Sequence, residues 1–161
     1  MSKTIREKHH RLPDELYRGM QIVSFTACVK DRVSFFTTRE LFNAFEEMLL
    51  NELTRFECGA EAYLFMPDHA HFLLCGNSDE ADTLKAMRSF KQKSGYWLSR
   101  NRPSVHWQKD FYDHIIRENE SLQKHIMYIL NNPVRKGMVE SWKEYPFKGS
   151  TSHDLDTWEP V

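Results

Sequence analysis

The sequence predicts an α+β domain whose single antiparallel sheet is laid down in the order β-α-β-β-α-β and followed by one further helix. Three observations carry this. Residues 22–29 form an early β-branched and aromatic run, two apolar runs are split by Pro67-Asp68, and three stretches repeat apolar residues at three- and four-residue steps. At 161 residues the chain suits one domain with one core, residues 17–150 forming its body.

The first strand is read over Ile22 to Val29, where β-branched and aromatic residues partly alternate. Thr37 and Glu40 have capping-box spacing, and Phe42, Phe45, Leu49 and Leu53 then recur on one side, so residues 38–56 read as an amphipathic helix. Ala60 to Met66 and His69 to Cys75 are short apolar runs joined by turn chemistry, which predicts a hairpin. A second helix follows through Leu84, Met87, Phe90 and Ser94, on toward Leu98, and Pro103 closes it. Residues 106–116 supply a fourth strand and a loop, and residues 121–131 a third helix, ended by Pro133. This order corresponds to the ferredoxin-like split β-α-β motif. Residues 1–17 and 142–161 lack a strong period and read as surface or partly disordered arms.

Composition narrows the function classes. Hydrophobic residues make up 40% of the chain with six Gly and six Pro, an ordinary globular balance. No apolar run approaches the roughly 18 residues of a membrane span, and the polar start Met1 to Lys8 has no apolar stretch behind it, so a cytoplasmic protein without membrane contact is expected. Cys28, Cys58 and Cys75 are odd in number and widely spaced, which argues against a disulfide framework or a thiolate metal site. The net charge of -1 conceals a local imbalance: Thr83 to Lys109 holds no acid but does hold Lys85, Arg88, Lys91, Lys93, Arg100, Arg102 and Lys109. Such a stretch suits phosphate contacts, and Tyr96, Trp97 and Trp107 could stack unpaired bases; a solvated helix face with core aromatics fits it equally.

Two features suggest chemistry. His69 and His71 lie two apart on a strand, so both imidazoles leave the same face and form half of a metal site with positions open to substrate or water. Two packed histidines would show the same spacing. On the third helix His125, Tyr128 and Asn132 share one stripe, beside an apolar stripe of Leu122, Ile126, Ile129 and Leu130. A tyrosine so placed can simply pack with its hydroxyl bonded, or act as a nucleophile toward an electrophile such as a phosphodiester.

Three segments together, Met66 to Leu74, Trp107 to Arg117 and Tyr128 to Gly137, resemble the single-tyrosine HUH transposases, which include the IS200-like and REP-associated tyrosine transposases. The resemblance runs from about Tyr17 to Ser150. It implies that His69-Ala70-His71 is the His-hydrophobe-His metal motif, Tyr128 the nucleophile and Asn132 a third ligand, where many relatives place the longer Gln. It further implies Mg²⁺ or Mn²⁺, a 5′-phosphotyrosyl link with a free 3′-hydroxyl, single-stranded or hairpin DNA as partner, and a monomer or homodimer. His114 and His125 receive no role. Two rivals stand beside this reading: a domesticated nucleic-acid binder that no longer cleaves, and a small hydrolase whose histidine-bound metal activates water.

Overall fold

The computed structural model describes residues 11–160, so the expected N-terminal arm is seen only from Arg11 onward. Strand β1 covers Ile22–Cys28, helix α1 Arg39–Arg55, β2 Cys58–Met66, β3 His69–Gly76, helix α2 Thr83–Asn101, β4 Tyr112–Ile115 and helix α3 Leu122–Leu130. A short helix α4 at Asn132–Arg135 and a two-residue strand β5 at Lys148–Gly149 complete the set. The strands lie in the antiparallel order β4-β1-β3-β2-β5, the expected α+β sheet with one added edge strand.

Local chemistry explains the boundaries. The Thr38 hydroxyl accepts from the Leu41 N–H at 3.2 Å and starts α1, so the cap lies one residue beyond the Thr37 expected from capping-box spacing. Asp82 and Ser121 cap α2 and α3 through the N–H groups of Lys85 and Lys124. The strand and loop expected over 106–116 resolve into a loop followed by the four-residue strand Tyr112–Ile115. Lys91 draws in the carbonyls of Gln108, Lys109 and Asp110 at 2.6, 3.2 and 3.1 Å, and Trp107 inserts its ring against Phe36 and Phe90. With the backbone turned inward there, the ladder is regular only from Tyr112.

Strand alternation divides the interior into two layers. Val23, Phe25, Ala27, Phe65, Ala70, Phe72 and Leu74 face α1 and α2. Ala62, Leu64, Met66 and Leu73 face α3, where Ile126, Ile129 and Leu130 cover them. The second layer also claims the expected C-terminal arm: Trp142 and Tyr145 are buried there, and the Tyr145 hydroxyl donates to the Phe65 carbonyl at 2.6 Å. That segment has no helical or strand period because it packs by a few separated aromatic anchors. At the other end Tyr17 is fully buried, its hydroxyl bonded to Asp113, which also pairs with Arg11 at 3.0 Å.

Candidate active site

His69, His71 and Leu73 share the face of β3 that looks toward α3, while Ala70 and Phe72 look toward α1 and α2. Both imidazoles are therefore under the third helix, with ring centroids 4.9 Å apart and planes nearly perpendicular. They are buried, His69 at 2% exposure and His71 at 8%. Just past the end of α3 the chain carries Asn132, also buried, and its side-chain nitrogen lies 2.6 Å from Nε2 of His71 and 3.5 Å from Nε2 of His69.

The outer nitrogens of the two rings are also engaged. Nδ1 of His69 lies 2.7 Å from an Asp68 carboxylate oxygen, and Nδ1 of His71 lies 3.0 Å from the Thr26 hydroxyl, its neighbour in the β1–β3 register. A carboxylate only accepts, so His69 carries its proton on Nδ1. The Asn132 amide donates to Nε2 of His71, so His71 carries its proton on Nδ1 as well. Both Nε2 lone pairs thus point at the same spot beside the amide. Turning that amide over would present its oxygen instead, and amide nitrogen and oxygen are nearly equivalent in shape.

Electrostatics keep these rings neutral. Burial, and then the neighbouring His69, Arg135 and Arg32, hold His71 well below its ordinary value. Burial also lowers His69, against the opposing pull of Asp68. Burial alone would raise Asp68, but bonds from His69 and Arg32 keep it below the usual carboxylate value; Arg32 Nε approaches it at 3.0 Å. Neutral imidazoles, each with an outer hydrogen-bond partner, are the form that binds metal ions. His69 opens onto a cleft of about 300 Å³ whose rim includes Arg32, Lys136 and Met138.

Tyr128 lies on α3, four residues before the Asn132 that begins α4, and is half exposed, with the Arg135 guanidinium 3.9 Å from its ring centre. The apolar stripe beside it behaves as the spacing suggests, with Ile126, Ile129 and Leu130 buried. Tyr112 lies in the same cross-strand row as Thr26 and His71, on the same face, at the β4 edge.

The basic stretch is placed elsewhere. Helix α2 packs on the opposite side of the sheet, so Lys85, Arg88, Lys91, Lys93, Arg100 and Arg102 are not brought together with the histidine pair. Arg88 pairs with Asp14 at 3.3 Å, Lys93 with buried Glu52 at 2.5 Å, and Lys91 holds the carbonyls already described. Lys85, Arg100 and Arg102 are exposed. Of the three aromatics, Tyr96 is exposed at 67%, whereas Trp97 and Trp107 pack against Phe45 in the core. Residues that sequence reasoning did not single out are Thr26, Arg32, Asp68 and Arg135. Asp68 was legible only as turn chemistry, and Thr26 gave one signal, a polar position within an apolar strand.

Fold and site together define an α+β protein in which paired buried histidines face a helix bearing a tyrosine. Over residues 20–132 the chain matches the family described as Transposase IS200 like, and it belongs to that family of transposases. It is 28% identical over 136 residues to a candidate REP-associated tyrosine transposase of Haemophilus influenzae, covering 76% of each chain. It is also 28% identical over 92 residues to the REP-associated tyrosine transposase of Escherichia coli, covering 57% of this chain and 53% of that one. Among solved structures, a REP-associated tyrosine transposase bound to a REP hairpin superposes with a TM-score of 0.75 at 20% identity, covering 94% of this chain and 87% of that one. A candidate transposase from Deinococcus radiodurans gives a TM-score of 0.52 at 16% identity, covering 81% and 97%. Among the described residues no helix is long and apolar enough to cross a membrane.

Proposed function

We propose that this chain nicks and rejoins single-stranded DNA next to a hairpin, with Tyr128 as nucleophile and His69, His71 and Asn132 as ligands of Mg²⁺ or Mn²⁺. The observation that carries the reading is the convergence of two Nε2 lone pairs and one amide on a single spot, the amide belonging to the residue four positions after the tyrosine. The donor set fits a divalent ion: both outer nitrogens are tied down, and the amide can offer oxygen. When bound, such an ion polarises the phosphoryl group and neutralises charge on its non-bridging oxygens.

In the nick, the Tyr128 oxygen forms a bond to phosphorus and the bond from phosphorus to the 3′ oxygen breaks. The phenol gives up one proton and the departing 3′ oxygen gains one, so the step is proton-neutral. Rejoining reverses it, with a 3′-hydroxyl attacking the 5′-phosphotyrosyl link. Arg135 over the Tyr128 ring holds the phenol in place, and Arg32 and Lys136 at the cleft rim contact flanking phosphates. Lys85, Arg88, Lys91, Lys93, Arg100 and Arg102 would meet a separate DNA segment, because the sheet stands between α2 and the histidines. In this reading the nucleophile and the ligands come from one chain, supported by the packing of α3 against Leu64 and Leu73 of the same sheet. The cytoplasm, where DNA is accessible, is the proposed place of action.

Hairpin-bearing oligonucleotides from around the gene, incubated with protein and Mn²⁺ and run on a denaturing gel, test this. The expected result is a protein-linked DNA band that Tyr128→Phe reduces by roughly 10³-fold or more while the hairpin still shifts on a native gel. An undiminished band in that variant rejects the assignment and points to Tyr112. Cleavage without any linked band supports a water-activating hydrolase, and binding alone supports a non-catalytic DNA-binding protein.

A further inference from the structure

A second cluster of ligand-type side chains lies on the α3 side of the sheet, at its β4 edge. Asp113 and Ile115 of β4 turn toward α1 and α2, so His114 between them turns toward α3. There Nε2 of His114 lies 3.0 and 2.9 Å from the two Glu120 oxygens, and Nε2 of His125, on α3, lies 2.9 Å from one of them. The ligand atoms all fall within 4.8 Å of one another. The side chains of His114, Glu120 and His125 are 38%, 25% and 30% exposed, which leaves an ion a way in.

The cluster is held by its backbone as well. Glu120 closes a turn with Arg117, its N–H donating to the Arg117 carbonyl and its carboxylate accepting from the Arg117 N–H, both at 3.0 Å. The carboxylate is thus aimed by the chain itself, and the two imidazoles approach it from a strand and from a helix, their planes 31° apart. Two imidazole nitrogens and one carboxylate oxygen are a borderline-soft set. It suits Zn²⁺ better than Mg²⁺, and three protein ligands leave one position open.

We propose that His114, Glu120 and His125 form a Zn²⁺-type site, separate from the His69 and His71 pair, that ties the start of α3 to strand β4. Closing this site braces α3, the helix that carries Tyr128, through His125 about one turn before the tyrosine. A bound ion would replace the imidazole-to-carboxylate hydrogen bonds, each ring offering its Nε2 lone pair and carrying its proton on Nδ1.

Full-length protein stripped with chelator is titrated with Zn²⁺ by calorimetry and with Co²⁺ by visible absorbance, and its melting is followed with and without Zn²⁺. A His69→Ala/His71→Ala variant isolates the second site. It should still take up one equivalent of either ion, give Co²⁺ d–d bands and melt at a higher temperature in Zn²⁺. Adding His114→Ala and His125→Ala should remove that equivalent, the bands and the melting shift together. Glu120→Gln, which keeps the size of the side chain but removes its charge, should weaken uptake by about tenfold to a hundredfold. The proposal is overturned if the His69→Ala/His71→Ala variant takes up neither ion, or if removing His114 and His125 leaves stoichiometry and affinity unchanged.

Discussion

The imidazole of His71 is held at both nitrogens: the Asn132 amide lies 2.6 Å from Nε2, and the Thr26 hydroxyl lies 3.0 Å from Nδ1 on the neighbouring strand. With Nε2 accepting from the amide, Nδ1 carries the proton and donates it to that hydroxyl, which holds the ring in place. Thr26→Val keeps the shape and removes the hydroxyl, so Mn²⁺ affinity should fall by roughly 10- to 100-fold while the fold survives. Calorimetric titration of wild type and variant decides it, and equal affinities would count against a metal at this place.

The side of α3 that carries Ile126, Ile129 and Leu130 is covered by Leu64 and Leu73 of the same chain. A protein with Tyr128→Phe mixed with one carrying His71→Ala should therefore remain inactive on hairpin DNA at every ratio. Recovery of a substantial share of wild-type adduct on mixing would mean that helices are exchanged between subunits.

Glu52 is 2% exposed and lies between Lys93 at 2.5 Å and the Ser89 hydroxyl at 2.7 Å. Burial alone would raise its carboxyl, but the bonds from Lys93 and Ser89, with the charges of Lys93 and Arg55, hold it below its ordinary value of 4.5. A carboxyl lowered in the folded state adds stability that is fully present above 4.5 and is lost as pH falls through its folded value. Glu52→Gln should cost about 1 to 2 kcal/mol at neutral pH, the exposed end of Lys93 limiting the figure. Its denaturation midpoint should also vary less with pH below 4.5 than that of wild type. Parallel pH profiles for the two proteins would contradict this.

Gly76 at the end of β3 touches the chain that enters β1. A Cβ there would fall 1.8 Å from the Gly19 carbonyl oxygen and 3.0 Å from the Ala81 side chain. The first neighbour is backbone and has little room to give, so Gly76→Ala should destabilise by about 3 kcal/mol or more. Urea unfolding measures it; a loss below about 1 kcal/mol would show that this junction can open without disturbing the sheet.

Much of the architecture was legible because strand and helix periods differ. The alternation around His69 and His71 showed that both rings share a face, and the steps through Ile126, Ile129 and Leu130 showed how α3 would pack. Residues 106–116 were legible as a strand plus a loop, but not where one gives way to the other, because Lys91 and Trp107 draw the 106–111 backbone inward through contacts more than ten residues apart in sequence. The C-terminal segment misled for a related reason. Trp142 and Tyr145 are core residues, but isolated anchors leave no period to read.

The basic run from Lys85 to Arg102 shows the limit of composition. A charge run is visible in one dimension, but which side of the sheet it occupies, and that Arg88, Lys91 and Lys93 already have internal partners, depends on how α2 docks.

By itself the sequence determined the order of elements, the shared face of the two histidines and the four-residue step from Tyr128 to Asn132, because these follow from repeats of two and about four residues within short segments. Only the tertiary structure decided that Asn132 meets His71, that Thr26 and Asp68 hold the outer nitrogens of the two rings, and that His114, Glu120 and His125 converge. Those contacts join segments far apart in the chain through strand register and helix docking, and neither leaves a local pattern.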